Sequence, residues 1–414
     1  MTRWLSIVGI GDDGLTGLSP AARTLVETAQ TLVGGPRHLA MVQEGGAERL
    51  PWRRPLADTI ADLEARQGTR VAVLASGDPL WYGVGVVLAR HFRREEMTIV
   101  PQPSAFSLAA ARLGWSVAEC AALSLHARPL DSLRLHLAPG RRCLVLSEDG
   151  TTPRLVAGLL AASGWGPSRI TVFEHLGGAR EAVHRGTAEG WGERRSADLN
   201  TIALECEPAP GTSALSRLAG LPDDAFEHDG QLTKREIRAI TLARLAPLPG
   251  GTLWDIGAGS GSIAIEWLRA AEGGAAIAVE RNPERAAVIA RNAAALGVPG
   301  LPIIAAAAPQ ALAQIPPALA PPDAIFVGGG IGDPGLLPAL WAALRPGGRL
   351  VANVVSLDGE RTILDWQARQ GGELTRIALS RPETLGGHQN AHHSAHRAWR
   401  PLLPVTQLAA TKPG

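Results

Sequence analysis

The chain reads TLWDIGAGSGS at residues 252–262 and AAIAVE at residues 275–280. An apolar strand enters a glycine-rich turn, a helical stretch follows to about Glu272, and a second apolar strand ends on an acidic residue. Strand, turn, helix and strand in this order predict half of a doubly wound α/β sheet, with a ligand crevice at the carboxyl ends of the strands. The alternative is an ordinary strand–turn–helix in some other α/β protein.

The side chains around this turn favour S-adenosylmethionine over a dinucleotide. Position 262 is a serine, where a dinucleotide-binding turn has its third glycine. Asp255 ends the first strand, where a carboxylate opposes a pyrophosphate but suits a sulfonium cofactor that carries an ammonium group and no phosphate. Glu280 ends the second strand and can accept hydrogen bonds from both ribose hydroxyls. We therefore expect a methyltransferase that uses S-adenosylmethionine in this half of the chain.

Size and charge limit the class of protein. The chain has 414 residues, 45% hydrophobic and 19% charged, which predicts two or three ordinary domains. A net charge of +1 gives no general attraction for nucleic acid, and no stretch approaches about 18 uninterrupted apolar residues, so we expect neither a nucleic-acid partner nor a membrane. Three widely spaced cysteines without a Cys-x-x-Cys pair, and no signal-peptide pattern, predict a reduced, cytoplasmic protein.

A proline- and acid-rich connector at residues 207–228 divides the chain. We predict one domain at residues 1–206 and a second at residues 229–414. Directly after the connector, residues 234–245 form an amphipathic helix, for which Thr233 and Glu236 predict an N-cap and a capping box.

Before the connector, short apolar strands alternate with helical patterns, which predicts α/β structure with a mostly parallel sheet. The predicted strands are Leu5–Ile10, Arg70–Leu74, Thr98–Val100, Arg142–Leu146, Ile170–Phe173 and Thr201–Leu204, with a further candidate at residues 30–35. The predicted helices are Ala21–Ala29, Leu56–Gln67, Gly83–Phe92, Ser104–Leu113 and Pro153–Ala162.

Residues 9–14 follow the first strand and match Gly-x-Gly-x-x-Gly, the dinucleotide fingerprint. Asp12 and Asp13 would point two carboxylates into the pyrophosphate cradle, and the candidate strand at residues 30–35 ends without the acidic residue that a ribose needs. A dinucleotide site is therefore the less favoured alternative. Three further polar segments at strand ends are typical of ligand-binding loops, with plain turns as the alternative, and they are residues 75–83, 101–105 and 124–129.

Three segments of the amino-terminal half resemble the tetrapyrrole (corrin/porphyrin) methylase family. They are VGIG at residues 8–11, SGDP at residues 76–79 and PQPSA at residues 101–105. The resemblance covers roughly residues 1–205 and implies two α/β subdomains that bind S-adenosylmethionine in a cleft between them. The cofactor residues that it implies are Gly9, Gly11, Gly77, Asp78, Ser104 and Ala105.

The carboxyl-terminal half, roughly residues 228–405, resembles the small Rossmann-like methyltransferase family of cobalamin biosynthesis. The matching segments are GQLTK at residues 230–234, DIGAGSG at residues 255–261 and FVGGG at residues 326–330. Where such enzymes often place an acidic residue against adenine, this chain reads AAAAP at residues 305–309, so adenine recognition would rest on backbone groups near Ala308. The cofactor residues implied in this half are Thr233, Asp255, Gly257, Gly259, Gly261, Glu280 and Ala308.

Fused in this order, the two halves resemble the family of decarboxylating precorrin-6Y methyltransferases. The resemblance implies methylation of carbons 5 and 15 of a small-molecule tetrapyrrole and removal of carbon dioxide from an acetate side chain. We also expect a homo-oligomer. One alternative is a methyltransferase that acts on nucleic acid or protein; another is a chain in which one half is a non-catalytic scaffold. No Ser/His/Asp or Cys/His constellation is evident, and electron-rich ring carbons need none because they supply the nucleophile.

A substrate with many carboxylates calls for guanidinium and imidazole donors. In the first half the candidates are His126 and Arg128, with a structural role as the alternative. In the second half we predict His388 and Arg397, because no acidic residue follows Glu383. A solvated surface and a metal site are the alternatives for this basic patch, and we expect no metal because neither a carboxylate nor a thiolate accompanies the histidines. The patch comprises Arg376, Arg381, His388, His392, His393, His396, Arg397 and Arg400.

Overall fold

A computed structural model describes residues 3–384 and 397–414. The chain forms two compact units, one of Met1–Leu130 and His136–Ala214 and the other of Asp131–Leu135 and Leu215–Gly414. The predicted domain boundaries stay predictions. In the described part of the chain, no helix has the length and apolar character needed to cross a membrane.

The first unit contains a fully parallel five-stranded sheet. Its strands are β1 (Leu5–Ile10), β2 (Thr31–Gly34), β3 (Glu48–Pro51), β4 (Val71–Ser76) and β5 (Met97–Val100). They lie in the order β3-β2-β4-β1-β5. Val8 and Ile7 sit in apolar clusters on opposite faces, as expected for a parallel sheet that is covered on both sides. The short edge strand β3 was not predicted, because its sequence ERLP carries no apolar run.

The second sheet of this unit is mixed. Its strands are β6 (Ala121–Ser124), β7 (Arg142–Leu146), β8 (Arg169–Glu174), β9 (Ala182–Thr187) and β10 (Asn200–Glu205), in the order β6-β7-β10-β8-β9. Only β6 and β7 pair in parallel, so the predicted mostly parallel arrangement is wrong here. The reason is local, because a short loop joins β8 to β9 as a hairpin and leaves β9 as a half-exposed edge.

Six helices surround these two sheets. Five of them confirm the predicted helical patterns to within a few residues, and α2 is additional. Their bounds are α1 (Pro20–Glu27), α2 (Pro36–Ala40), α3 (Leu56–Glu64), α4 (Gly85–His91), α5 (Ala105–Leu113) and α6 (Thr152–Ala162). Phe106 and Ala109 of α5 pack with Leu144, Phe173 and Ala203 of the mixed sheet.

The second unit is built on a seven-stranded sheet with one reversed strand. The strands are β11 (Thr252–Ile256), β12 (Ala275–Val279), β13 (Ile303–Ile304), β14 (Ala324–Val327), β15 (Arg349–Val354), β16 (Glu373–Ile377), β17 (Ser380–Thr384), β18 (Arg397–Pro401) and β19 (Val405–Thr411). The sheet order is β13-β12-β11-β14-β15-β19-β16, with β19 antiparallel to both neighbours, and β17 pairs with β18 separately. The order reverses at β11, which places a crevice at its carboxyl end.

Six α-helices among residues 215–384 and 397–414 cover the two faces of this sheet. They are α7 (Arg235–Leu245), α8 (Ser262–Ala270), α9 (Pro283–Ala295), α10 (Ala308–Ala311), α11 (Leu336–Ala343) and α12 (Leu357–Gln370). Successive strand residues point to opposite faces. Leu253 accordingly packs with Trp267 and Ile289 in one core, while Trp254 packs with Leu340 and Trp366 in the other.

The start of α7 differs from the prediction. Lys234, not Thr233, precedes the first helical residue, and its side chain makes no capping hydrogen bond, so the predicted capping box is wrong. The Thr233 carbonyl instead accepts a hydrogen bond from Arg238, and Glu236 pairs with Arg381 at 3.0 Å.

Arg238 is a fully buried cation that ties three segments together. Its guanidinium contacts Glu266 on α8 and Asp223, each at 2.8 Å. The Glu266 carboxylate also accepts hydrogen bonds from the backbone of Gly220 and Leu221. The network therefore fixes residues 220–223 against α7 and α8.

We predict that Arg238→Ala destabilises the second unit by about 3–5 kcal/mol, because Glu266 would be left buried without its counter-charge. Hydrogen exchange of peptides from α7 and α8, measured in the full chain, reports this loss. Arg244→Ala is the control, since Arg244 pairs with Glu373 at an exposed position and such pairs contribute only about 0–1 kcal/mol. Equal effects of the two substitutions would contradict the assignment.

Candidate functional site

An open cleft with about 650 Å³ of empty space lies in the first unit. It borders the carboxyl ends of β1, β4 and β5, and residues of the mixed sheet line its other side. Five of the six predicted cofactor residues of this half line it together, and they are Gly11, Gly77, Asp78, Ser104 and Ala105. The structure thus brings together three loops that are far apart in sequence.

The sixth predicted residue, Gly9, lies behind the cleft wall. A Cβ atom at Gly9 would lie 2.0 Å from the Gly77 carbonyl oxygen, and Gly77 itself has a φ of +55°. Only glycine permits this approach of the last residues of β1 to the turn after β4. On the next loop, Ser104 caps α5 by accepting a hydrogen bond from the Ser107 N–H.

Charged residues that were not predicted as site residues also reach this cleft. Asp12 and Arg37 both line it, and their side chains form an ion pair at 2.9 Å. The other carboxylate oxygen of Asp12 lies 3.2 Å from Nδ1 of His175. In the sequence analysis, Asp12 served only as evidence against a dinucleotide site. No sequence motif around Arg37 or His175 identified either of them as a site residue.

Ser76 and His38 extend this group. Nε2 of His38 lies 3.0 Å from the Ser76 hydroxyl and 2.9 Å from the Arg37 guanidinium. Because a guanidinium can only donate, Nε2 must accept, and the proton of the neutral ring therefore sits on Nδ1. Burial, with a smaller contribution from Arg37, lowers the pKa of His38 to about 4. His38 is therefore neutral at physiological pH.

The two predicted substrate-binding residues of this half lie close to each other on the loop after β6. His126 Nδ1 is 3.1 Å from the Glu148 carboxylate, and both side chains are exposed. The Arg128 guanidinium lies over the Tyr82 ring, 4.6 Å from its centroid. Neither His126 nor Arg128 lines the cleft itself, whereas Trp81, which precedes Tyr82, does. Their role in substrate binding stays a prediction.

The backbone of the glycine-rich turn in the second unit packs directly against the backbone of a neighbouring loop. Gly257 has a φ of +70°, and a Cβ atom there would lie 2.6 Å from the Gly329 Cα. Gly329 belongs to the loop after β14, the strand that pairs with β11. Gly259 and Gly261 complete the turn, and Gly261 precedes the first residue of α8.

Asp255 is completely buried beneath this turn. One carboxylate oxygen accepts a hydrogen bond from the Ala264 N–H at 3.0 Å, and the other has no partner among the described residues. Burial raises the pKa of Asp255 to about 7; the Ala264 hydrogen bond opposes this increase, and the Glu280 charge adds to it. A buried acceptor without a donor is suited to a ligand or water that donates to it.

Glu280 supports the turn from the end of β12. Its two carboxylate oxygens accept hydrogen bonds from the Gly259 N–H at 2.8 Å and the Asn282 N–H at 2.9 Å. A depression of about 420 Å³ opens beside it, lined by Gly259, Asn282 and Arg285 among others. Arg285 binds Asp229 and Gln231 across this depression.

The two remaining predicted cofactor residues of this half lie on separate segments. Thr233 is half-buried before α7, and its carbonyl is engaged by Arg238. Ala308 is half-buried at the first position of α10 and faces Gly330, at which a Cβ atom would lie 3.9 Å from that of Ala308. The cofactor roles of both residues stay predictions.

Three arginines of the predicted basic patch pair with carboxylates in the described part of the chain. Arg381 pairs with Asp223 and Glu236, and the Glu236 hydrogen bond raises the pKa of Arg381. Arg376 and Arg400 likewise pair with Glu360 and Glu383. No acidic residue follows Glu383 in the sequence, but carboxylates from other segments fold against these three arginines. Arg397 is exposed on β18, and His388 with the three neighbouring histidines lies outside the described residues.

Two family models match the chain in succession. The model of the family Tetrapyrrole (Corrin/Porphyrin) Methylases matches residues 5–190, and the model of the Precorrin methyltransferase domain matches residues 224–412. Together with the two kinds of sheet, these matches confirm the predicted fold class, a tetrapyrrole-methylase half followed by a Rossmann-like half.

Similarity extends over the whole length of a curated relative. A precorrin-6Y C(5,15)-methyltransferase [decarboxylating] from a Sinorhizobium species is 47% identical over 412 residues, covering 99% of this chain and 96% of the relative. The chain belongs to the precorrin-6Y C(5,15)-methyltransferase family. This confirms the family resemblance of the two fused halves.

Two shorter relatives of this precorrin-6Y methyltransferase family member each match less than half of the chain. A cobalt-precorrin-7 C(5)-methyltransferase from Salmonella typhimurium is 33% identical and covers 44% of this chain and 89% of the relative. A probable cobalt-precorrin-6B C(15)-methyltransferase (decarboxylating) from Pyrobaculum aerophilum is 34% identical and covers 41% of this chain and 88% of the relative.

We predict that, without cofactor, the free energy of unfolding of the second unit decreases as pH rises from about 4 to about 7, and that Asp255 causes this decrease. The native carboxyl retains its proton in this range, while the unfolded one has lost it, so the free energy of unfolding falls with pH and then levels off. The difference between a pKa of about 7 and the ordinary value of 3.8 makes the effect on the order of 4 kcal/mol.

Urea unfolding of wild type and Asp255→Asn across this pH range measures the effect, with the exposed Asp365→Asn as control. We expect the wild type and the control to lose stability in parallel and Asp255→Asn to lose much less. Identical pH dependence in all three proteins would contradict the burial argument.

Proposed function

We propose that this chain methylates a precorrin macrocycle at carbons 5 and 15 with S-adenosylmethionine and removes carbon dioxide from an acetate side chain, in cobalamin biosynthesis. The observation that carries the proposal is the 47% identity over 99% of the chain to a curated enzyme of that name. The two units, with predicted boundaries at residues 206 and 229, each provide their own crevice at the carboxyl ends of parallel strands.

We further propose that the two halves divide the two methylations. Support comes from the two shorter relatives, of which one is named for carbon 5 alone and the other for carbon 15 with decarboxylation. Each of these covers less than half of this chain, as expected if one half suffices for one transfer.

In the first unit, the cofactor would lie along the cleft wall formed by Gly11, Gly77 and Asp78 and by the start of α5. The close approach of Gly9 to Gly77 leaves no room for a side chain at these two positions, so backbone groups form this part of the wall, while Asp12, Arg37 and Trp81 add side chains to the cleft. Neutral backbone donors and acceptors suit a cofactor without a phosphate. Ser104 and Ala105 place the amino-terminal end of α5 at the same wall.

In the second unit, Glu280 would accept the ribose hydroxyls while the Gly259 and Asn282 amides keep its carboxylate in place. The unpartnered oxygen of Asp255 fits a ligand that donates hydrogen bonds. These residues fit S-adenosylmethionine better than a dinucleotide because the Asp255 carboxyl group, at the end of the first strand, would oppose a pyrophosphate. The backbone near Ala308 would contact the adenine.

S-adenosylmethionine, when bound, supplies a methyl group on a sulfonium. The protein must align this group with a ring carbon and exclude water, which is a matter of positioning and needs no covalent intermediate. Substrate carboxylates call for cationic donors, for which Arg128 on its Tyr82 platform and His126 are the candidates in the first half. The conjugated ring itself can accept the electrons released by decarboxylation.

Equilibrium dialysis with labelled S-adenosylmethionine, combined with turnover of a purified precorrin followed by mass, tests this function. We expect two cofactors per chain and a product with two added methyl groups and one carbon dioxide fewer. One bound cofactor would support a scaffold role for one half. No bound cofactor, or no turnover of the tetrapyrrole, would reject the proposal.

Glu280→Ala should weaken cofactor binding at one of the two sites by roughly 1.5–3 kcal/mol, because a charged acceptor is lost. Glu284→Ala is the matched control, since Glu284 lines the same depression but is exposed. Calorimetric titration of the full chain separates the two sites. An unchanged affinity in Glu280→Ala would remove Glu280 from the cofactor site.

A further inference from the structure

If the proposed function holds, methyl transfer to a carbon of a neutral ring leaves the product with one proton that must be removed. The carbon forms its new bond with a π electron pair of the ring, and the carbon–sulfur bond breaks with its electrons going to sulfur. The ring then carries one positive charge, which it loses by releasing a proton from a ring nitrogen or carbon. A base near the cleft is needed to accept that proton.

Asp12 and His175 form a carboxylate–imidazole pair at the first-unit cleft. Asp12 lines the cleft, and its Oδ2 lies 3.2 Å from His175 Nδ1. His175 is not itself one of the residues that line the cleft, but its sequence neighbours Phe173 and Leu176 both line it. The Asp12 and His175 side chains are only 10% and 14% exposed, so the contact is shielded from water.

Several features of the chain preserve this contact. His175 has a φ of +49°, a left-handed conformation that costs a residue other than glycine on the order of 1 kcal/mol or more. At Gly178, any Cβ atom would lie 2.4 Å from Asp12 Oδ2, so only glycine allows the carboxylate to reach His175. Arg37 holds the second carboxylate oxygen at 2.9 Å.

We propose that His175 Nε2 accepts the proton released in the first-unit methyl transfer, and that Asp12 is the positioning residue that orients the ring and stabilises its charge. His175 Nδ1 lies 3.2 Å from the Asp12 carboxylate, which can only accept, and 3.4 Å from the Arg180 guanidinium, which can only donate. The shorter contact with Asp12 favours a proton on Nδ1, which leaves the lone pair on Nε2, and no hydrogen bond to Nε2 exists within residues 3–384 and 397–414. The same division of roles between a carboxylate and an imidazole serves general-base catalysis in other enzymes.

The other ionisable groups at the cleft are less suited to this role. Asp78 Oδ1 already accepts the Leu80 N–H at 2.8 Å. Nε2 of His38 is shared by Ser76 and Arg37, and burial keeps that ring neutral. Arg180, whose guanidinium lies 3.4 Å from His175 Nδ1, and Arg37 are permanent cations.

The proposal is tested with the full-length His175→Gln variant. The rate of each methyl transfer to a purified precorrin is measured in a single turnover by mass spectrometry. Glutamine can still donate to Asp12 but cannot take up a proton. We expect one of the two methyl transfers to slow by about 10²–10⁴-fold, with cofactor affinity unchanged, and added imidazole to restore part of the rate in His175→Ala. His184→Gln is the control, since His184 faces Glu174 at 3.4 Å on the same sheet, and it should stay within about twofold of wild type.

A second readout does not depend on activity. In the chain labelled with ¹⁵N-histidine, the His175 ring should carry its proton on Nδ1, and Asp12→Asn should abolish that preference. A near wild-type rate in His175→Gln, or a wild-type His175 protonated on Nε2, would overturn the proposal while leaving the proposed function intact. Absence of tetrapyrrole turnover by the wild type would overturn both.

Discussion

Close backbone contact between the ends of neighbouring parallel strands is the constraint on which both crevices depend. In the first unit the end of β1 touches the turn after β4 at Gly9 and Gly77. In the second unit the turn after β11 touches the loop after β14 at Gly257 and Gly329. A side chain at Gly9 or Gly257 would force these ends apart. At each sheet edge these backbone groups lie beside ionisable side chains, which are Asp12 and Arg37 in the first unit and Glu280 in the second.

The two units handle acidic residues near these crevices in opposite ways. Asp12 has a cation on one oxygen and an imidazole on the other, so its charge is compensated. Asp255 has a single backbone donor and is fully buried, which is why its pKa rises to about 7. Removing a charge from water without a partner is costly, and the carboxyl responds by retaining its proton. The second unit thus carries an energetic penalty at its glycine turn, which a hydrogen-bond donor near the free oxygen of Asp255 would relieve.

The sequence predicts best those features that depend on local patterns. The strand–turn–helix around Asp255 and the buried strands β1 and β7 follow from apolar runs and glycine spacing. The edge strands β3 and β9 have weak patterns because one or both faces meet solvent, and so they were missed. The prediction that Thr233 caps α7 is wrong because the Thr233 carbonyl binds the buried Arg238. This contact depends on tertiary packing and cannot be derived from the local sequence.

Electrostatics was the least predictable feature, because charge partners come from distant segments. The sequence places Arg381 in a basic patch, yet Asp223 and Glu236 pair with it in the fold. The same non-locality conceals the group around Asp12, whose contact with His175 spans 163 residues of sequence. The left-handed backbone of His175 costs stability, and the contact with Asp12 leaves no room for a side chain at position 178. Both features are explained if the contact between Asp12 and His175 serves the site. Strain of this kind persists where geometry matters more than stability, which is the physical reason for regarding this pair as part of the site rather than as one more surface ion pair.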